Sequence, residues 1–406
     1  MRRDMPSGWK ASPLIDVATL QRGFDLPEHH RRNGLIPVYG SNGVDGTHNQ
    51  AAVLGPGIIT GRSGTIGKVH FEPRDYWPLN TTLYVRDLHG NDPKFIARLL
   101  EGLELKRFSA STGVPSPNRN FVHPTPVLVP PPEEQNRIAA VLDAVDEAIA
   151  RTDAVIAKLR QVRADLLHDL LTRGLDEHGQ LRPPPSEAPH LYKDFPLGRI
   201  PKKWEVAQFG SLAQFITSGS RGWARYYSEE GALFLRIGNL TREHIDLRLE
   251  DIVRVRPPAG SERARTKVEP GDILISITAD LGIIGVIPEP FEEAYVNQHI
   301  ALVRPIRTVC PRWIGRYLSF GSAARFFRML NDTGAKAGMS LPSIALLVVA
   351  IPNREEQGRA KVLLDWMDAD IALQHLHQVK LQNLKSGLMA DLLTGRVRVP
   401  EGVVTR

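Results

Sequence analysis

The chain has 406 residues, a formal charge of +6, 42% hydrophobic and 24% charged residues, which fits a globular protein of two or three domains. Its single cysteine, Cys310, excludes an intramolecular disulfide and a cysteine-rich zinc site. No apolar stretch follows the first arginines of MRRDMPSGWKASP, and the longest apolar run, Ile344–Ile351, is far too short to span a bilayer, so neither a secretory signal nor a membrane span is expected and a cytoplasmic location fits best.

Residues 1–130 read as a first block of short strands, dense turns and one helix. Turn signals fall at Gly40-Ser41-Asn42-Gly43, Asp45-Gly46 and Gly55-Pro56-Gly57. Strand-like runs lie between them at 57–60 and 81–85. Apolar spacing predicts one helix over 93–108, and the mixture predicts an α+β domain. Residues 131–174 form a long helical rod. It opens on prolines and glutamates, which a helix's first turn tolerates and favours, and carries an apolar stripe through Ile138, Leu142, Val145 and Ile149 to Leu170. A polar, proline-rich linker covers 175–196. A second α+β block over 197–352 has strand-like runs at 233–237 and 272–277 and a helix predicted over 311–330. A second rod fills 353–395, and 396–406 is a tail.

The rods are copies of one another. Residues 133–172 align without a gap to 355–394 at a constant offset of 222, with sixteen of forty positions identical. They carry charges of −3 and −2, leaving +11 on the remainder, where a polyanion would bind. The blocks resemble each other more faintly: Gly57–Thr60 with Gly64–Val69 parallels Gly271–Ile275 with Leu281–Val286, and an asparagine, Asn80 or Asn297, follows each. The scaffold is kept while the loops diverge.

Gly61–Lys68 looks at first like a phosphate-binding loop. The required glycine is replaced by Arg62 and the magnesium-holding hydroxyl by Val69, so the ATPase reading fails. A turn whose Arg62, Ser63, Thr65 and Lys68 face an anionic partner is the alternative to a plain solvated hairpin, and Ser41 and Asn42 lie in a similar turn. In the second block Ser218, Ser220, Arg221, Arg225 and Tyr226 combine hydroxyls, cations and an aromatic ring suited to phosphate and base contact. An ordinary loop with its tyrosine pair anchored in the core fits that stretch nearly as well. Asn118, Arg119 and Lys336 occupy comparable loops. Asn80 and Asn297-Gln298-His299 suit adenine edges, although matched asparagines at strand ends serve structure equally well. No methyltransferase tetrapeptide of the Asn-Pro-Pro-Tyr kind, no dinucleotide fingerprint and no zinc spacing around His29, His30, His375 or His377 is present, so neither catalysis nor a metal site is expected.

In combination, these features resemble the specificity subunit of type I restriction-modification systems over nearly the full chain. Each block opens on a tryptophan signature, Ser7-Gly8-Trp9 or Ile200-Pro201-Lys202-Lys203-Trp204. The rods begin at Pro132-Glu133-Glu134-Gln135 and Arg354-Glu355-Glu356-Gln357, and end at Asp169–Thr172 and Asp391–Gly395. The turn Val38–Gly43 and the run Ile58–Val69 also match, whereas the differing rod starts and the missing second Tyr-Gly-Ser-Asn turn are departures.

The resemblance implies an α+β fold of two target recognition domains, each followed by a long helix, with the helices packed as an antiparallel coiled coil. Each domain would read one half of a bipartite, asymmetric double-stranded DNA target. A rod of roughly 60 Å would cap the half-site separation near ~18 base pairs. The chain itself would bind no cofactor. Its partners would be two methyltransferase subunits using S-adenosylmethionine and restriction subunits using ATP and Mg. Val141, Val155, Val162, Leu363, Met367 and Leu384 either dock partner helices or pad the rod–rod core. The rival reading is a protein-interaction scaffold built on the paired helices.

Overall fold

The computed structural model describes residues 5–108, 119–195, 198–321, 324, 325, 327 and 338–402. The chain forms two compact units that cut across the expected segments: Met1–Val155 with Gln374–Arg406, and Ile156–Leu373. Each therefore holds one α+β block, the first half of one rod and the second half of the other.

In the first unit an antiparallel four-stranded sheet runs Thr19–Arg22, Thr82–Asp87, Gly57–Gly61, Val69–Glu72 in spatial order. Leu20, Ile58, Leu83 and Val85 are buried with Phe95, Ile96, Leu99 and Leu100 of the helix Pro93–Gly102. Those helical positions are spaced by one, three and four, the spacing of a single buried face. Asp92 caps the helix by accepting from Phe95 N–H at 2.7 Å, with Pro93 in the first turn. The helix stops short of the expected residue 108 because Glu104 takes a left-handed φ of 48°, and only a 3-10 turn, Leu105–Phe108, follows. A second sheet pairs Gly43–His48 with Ile36–Gly40, which runs parallel to Trp77–Pro78. The ribbon Lys10–Pro13 with Pro126–Val129 completes the block.

The second unit repeats the four-stranded sheet, the parallel pair and the ribbon of this plan. Its four-stranded sheet runs Ala213–Ser218, Ile300–Pro305, Ile273–Ser276, Ile284–Val286. The parallel pair recurs as Ala232–Leu235 with Ala294–Val296, and the ribbon as Glu205–Gln208 with Val348–Ile351. Pro311–Ser319 is the counterpart helix, shorter than the expected 311–330, of which 320–330 is described only in part. The strand expected to reach Ile237 ends at Leu235, because the buried Asn239 accepts from Arg236 N–H at 2.9 Å and winds Ile237–Asn239 into a 3-10 turn.

The rods span Pro132–Thr172 and Arg354–Leu392. Each begins with a Glu-Gln pair buried against its block. In the first unit Trp9 Nε1–H donates to Glu134 at 3.1 Å, and Arg398 adds two bonds to the same carboxylate at 2.6 and 2.7 Å. In the second, Glu356 accepts from Trp204 Nε1–H at 3.2 Å, from Arg182 at 2.7 and 2.9 Å, and from Leu175 N–H at 2.8 Å. The glutamine makes the same two bonds in both: Gln135 accepts from Asp92 N–H and donates to Pro130 O, while Gln357 accepts from Cys310 N–H and donates to Pro352 O. More than two turns further along, carboxylates grip the block's helix. Arg98 pairs with Asp143 at 2.8 Å and Asp146 at 2.6 Å; Arg316 pairs with Asp365 at 2.6 Å and Asp368 at 2.7 Å.

Within the first unit Asp146 pairs with Lys385 and Asp153 with Gln378, so one rod ascends in number as the other descends: they pack antiparallel. Leu392 and Leu393 share a core with Ile138 and Leu142 there, and in the second unit Leu170 and Leu171 share one with Ala360 and Leu364. Of the six residues read either as docking a partner helix or as padding the core, Met367 is buried (4% exposed), which fits padding and not docking, whereas its neighbour Leu363 is 41% exposed. Val155, Val162 and Leu384 are also exposed, and Val141 is half-buried.

Two predictions follow from the rod starts. Glu356→Ala strands the Arg182 guanidinium, whose side chain is 11% exposed, and lowers stability by about 3–5 kcal/mol, read by urea unfolding with tryptophan fluorescence. Burial works against ionisation of Asp365, but Lys361, Arg316 and Arg312 outweigh it and hold the carboxyl below its ordinary value of 3.8. Its depressed pKa makes the contribution full above 3.8 and lost as pH falls below that. The stability gap between wild type and Asp365→Asn should therefore shrink on acidification through this range, measured as urea midpoints against pH.

Candidate nucleic-acid interface

In the first unit the structure gathers candidates from separate stretches of sequence. The turn carrying Ser41 and Asn42 joins Ile36–Gly40 to Gly43–His48, and the loop after Gly57–Gly61 folds over it. Lys68 Nζ donates to Asn42 Oδ1 at 3.1 Å. A Cβ on Gly61 would lie 1.8 Å from Thr65 O and 3.1 Å from Ser41 O, so only glycine lets the two segments approach. Arg62 and Ser63 donate their N–H groups to Thr81 O at 2.8 and 3.1 Å, and Arg62 Nη1 donates to Asn80 O at 3.4 Å. Ser41, Asn42, Ser63, Thr65 and Lys68 thus share one surface with Asn80 at its edge. Arg119 is exposed on the short helix Arg119–Val122, and Asn118 lies outside the described residues.

Beneath that surface is a polar cluster that no motif announced. Tyr39 donates to Glu72 at 3.0 Å, and burial, reinforced by that carboxylate, pushes the phenol up to about 12. The His70 ring lies tilted at 5.9 Å from that of Tyr39; burial and then the Lys68 charge lower its pKa and favour the neutral ring. Arg31, also unflagged, holds Asp45 of the hairpin at 2.8 Å. These residues are far apart in number, so only strand pairing reveals the cluster.

The second unit treats its candidates less uniformly. Ser220, expected on the interface, is fully buried with its Oγ 3.0 Å from Thr266 Oγ1; its hydroxyl is committed to the core. Ser218 is half-buried and its carbonyl accepts from Arg265. Arg221 and Arg225 are exposed, and the Arg225 guanidinium lies 4.9 Å over the Tyr226 ring. Tyr226 is half-buried against Trp223, so it belongs partly to the core, whereas Tyr227 is 47% exposed. Lys336 lies outside the described residues. In place of the Ser41–Asn42 turn, this unit carries a longer excursion. It is braced by Asn239, which donates to Arg248 O and Asp251 O, and by Arg242, which pairs with Asp280 at 2.5 Å.

The match expected between Asn80 and Asn297 is off by one residue. Gly23 N–H donates to Thr82 O and Phe24 N–H to Pro78 O; Gly219 N–H donates to Ile300 O and Ser220 N–H to Val296 O. Thr82 is therefore equivalent to Ile300 and Pro78 to Val296, which places Leu79 on Asn297 and Asn80 on Gln298. Asn297 is 8% exposed and its Oδ1 accepts from His299 N–H at 3.1 Å, a structural role.

Residues 6–161 match the family model of the type I restriction modification DNA specificity domain. Over that stretch the chain is similar to the DNA specificity domain of type I restriction systems. It is 22% identical over 315 residues to the type I restriction enzyme MjaVIII specificity subunit of Methanocaldococcus jannaschii, covering 73% of this chain and 67% of that one. It is likewise 22% identical over 321 residues to the putative MjaX specificity subunit of the same organism, with 76% and 69% covered. The fold is similar to the crystal structure of a type I restriction-modification S subunit from M. genitalium, with TM-score 0.63, 14% identity, and 97% and 98% of the chains covered. A second similar fold comes from a study of complex assembly and conformational transition of the type I system, with TM-score 0.55, 16% identity, and 97% and 100% covered. The matched family model describes a DNA specificity domain, and both curated relatives are named as specificity subunits of type I restriction enzymes. Among the described residues no helix is long and apolar enough to cross a membrane, and no group of three or more His, Cys, Asp or Glu could hold a metal ion.

Proposed function

We propose that the two α+β blocks each read one half of a bipartite, asymmetric DNA sequence, and that the rods hold the halves at a fixed spacing. The observation that carries this reading is one strand topology used twice with different loops at equivalent places: a tight turn over a glycine-rich loop in the first unit, an Asn239-braced excursion in the second. A common scaffold with divergent loops is what two readers of unlike half-sites require. Ser41, Asn42, Ser63, Thr65 and Lys68 would contact the first half, with Arg62 and Arg119 supplying nearby charge. Ser218, Arg221, Arg225 and the exposed edge of Tyr226 would serve the second.

The rods would also dock two methyltransferase subunits, with restriction subunits recruited to the assembly. Val155, Val162, Leu363 and Leu384 stay open to a partner helix, and Trp366, at 64% exposure, is a larger apolar anchor on the same rod face as Leu363. S-adenosylmethionine, ATP and Mg would be used by those partners, and this chain would carry out no chemistry itself. Its place would be with the chromosome, in the cytoplasm.

Single-molecule sequencing of adenine methylation, in cells carrying the chain with a methyltransferase partner, should return one split motif with a fixed spacer. Exchanging residues 8–130 for another recognition domain should change one half alone; the absence of any new methylation from a soluble, assembled complex would favour the protein-interaction scaffold. Lys68→Ala should weaken binding to all sequences alike and flatten the log–log salt dependence of affinity by about 0.9, as expected for the loss of one phosphate contact. A slope unchanged in DNA-binding titrations would remove Lys68 from the interface.

A further inference from the structure

The residue-by-residue equivalence of the units places a carboxamide at one backbone position in both: Asn80 in the first, Gln298 in the second. Each is half-buried, in the turn that feeds an inner strand of the four-stranded sheet, two residues before Thr82 or Ile300. Each also has its amide nitrogen held by a neighbour. Asn80 Nδ2–H donates to Asp25 Oδ1. Gln298 Nε2–H donates to His299 Nε2 at 3.0 Å. His299 Nδ1 in turn lies 2.6 Å from Thr278 Oγ1. Thr278 belongs to the loop between Ile273–Ser276 and Ile284–Val286, the counterpart of the Arg62–Lys68 loop.

These contacts turn the amide nitrogen of each residue toward its neighbour. The side-chain oxygen accepts no hydrogen bond among the described residues, and one N–H remains to donate. An acceptor beside a donor is the complement of adenine, whose N6 donates and N7 accepts in the major groove. We propose that Asn80 and Gln298 are matched specificity determinants, one for each half-site, each reading an adenine edge through its carboxamide. This rests on the DNA-reading role proposed above. Thr278 and His299 act as positioning residues for Gln298, and Asp25 for Asn80.

Methylation mapping of the whole complex tests the assignment. Gln298→Ala should relax one A·T position in one half of the motif, raising methylation of sites with another base there about tenfold or more, and leave the other half intact. Asn80→Ala should do the same in the opposite half. Gln298→Glu, nearly isosteric and so less exposed to misfolding, should turn that position from adenine toward cytosine, since a carboxylate accepts from cytosine N4. The assignment is overturned if a split wild-type motif survives these variants unchanged, if the relaxed position is not an A·T pair, or if a folded variant loses methylation at all sites equally. A wild-type complex that yields no split motif defeats the DNA-reading role itself, which separates the two failures.

Discussion

A buried carboxylate at the start of each rod is the constraint on which each unit depends. Glu134 and Glu356 are 1% and 5% exposed, and a charge so buried persists only when fully bonded. The carboxylate stands on the rod, and its bonds come from two other stretches of chain: the tryptophan that opens the block, and an arginine that follows the end of the other rod. Satisfying one carboxylate therefore fixes where a block sits on its rod and where the returning chain ends. Glu356 has the more enclosed arginine, with Arg182 at 11% exposure against 44% for Arg398.

The adjoining interactions extend that clamp along the helix. Asp143 and Asp146, like Asp365 and Asp368, lie one turn apart and face the arginine of the block's helix. The same carboxylates face the other rod: Lys385 reaches Asp146, and Arg163 pairs with Asp368. Cations on the late half of each rod thus meet anions on the early half of the other, which sets antiparallel order as well as contact. With the framework held by buried polar groups and apolar cores, the loops at the sheet ends carry no structural load in common, and their residues are free to differ between the units.

Legibility followed the physics of each element. The rods were plain because a helix repeats its buried face every three to four residues and the duplicated acids lie on it. The strands at 57–61 and 82–87 were visible as short apolar, β-branched runs between turn signals. Loops gave less. Ser220 looked like an interface residue by composition, yet the parallel approach of Gly219–Ser220 to Val296–Asn297 buries it. Met367 fell on the widened stripe, yet it turns into the core while Leu363 stays out, a difference of helical phase finer than a stripe can resolve.

By itself the sequence determined the duplicated organisation, the α+β blocks, the long helices and the likeness to specificity subunits, because periodicity and repeated motifs are local or translational properties of the chain. Tertiary structure alone decided that the compact units cut across those segments, since the bond between a rod's first turn and the chain beyond the other rod joins residues such as Glu134 and Arg398 that no local pattern connects. It also decided that Asn80 corresponds to Gln298 rather than to Asn297. Equivalence there is set by backbone hydrogen bonds between strand ends, and those do not follow residue identity.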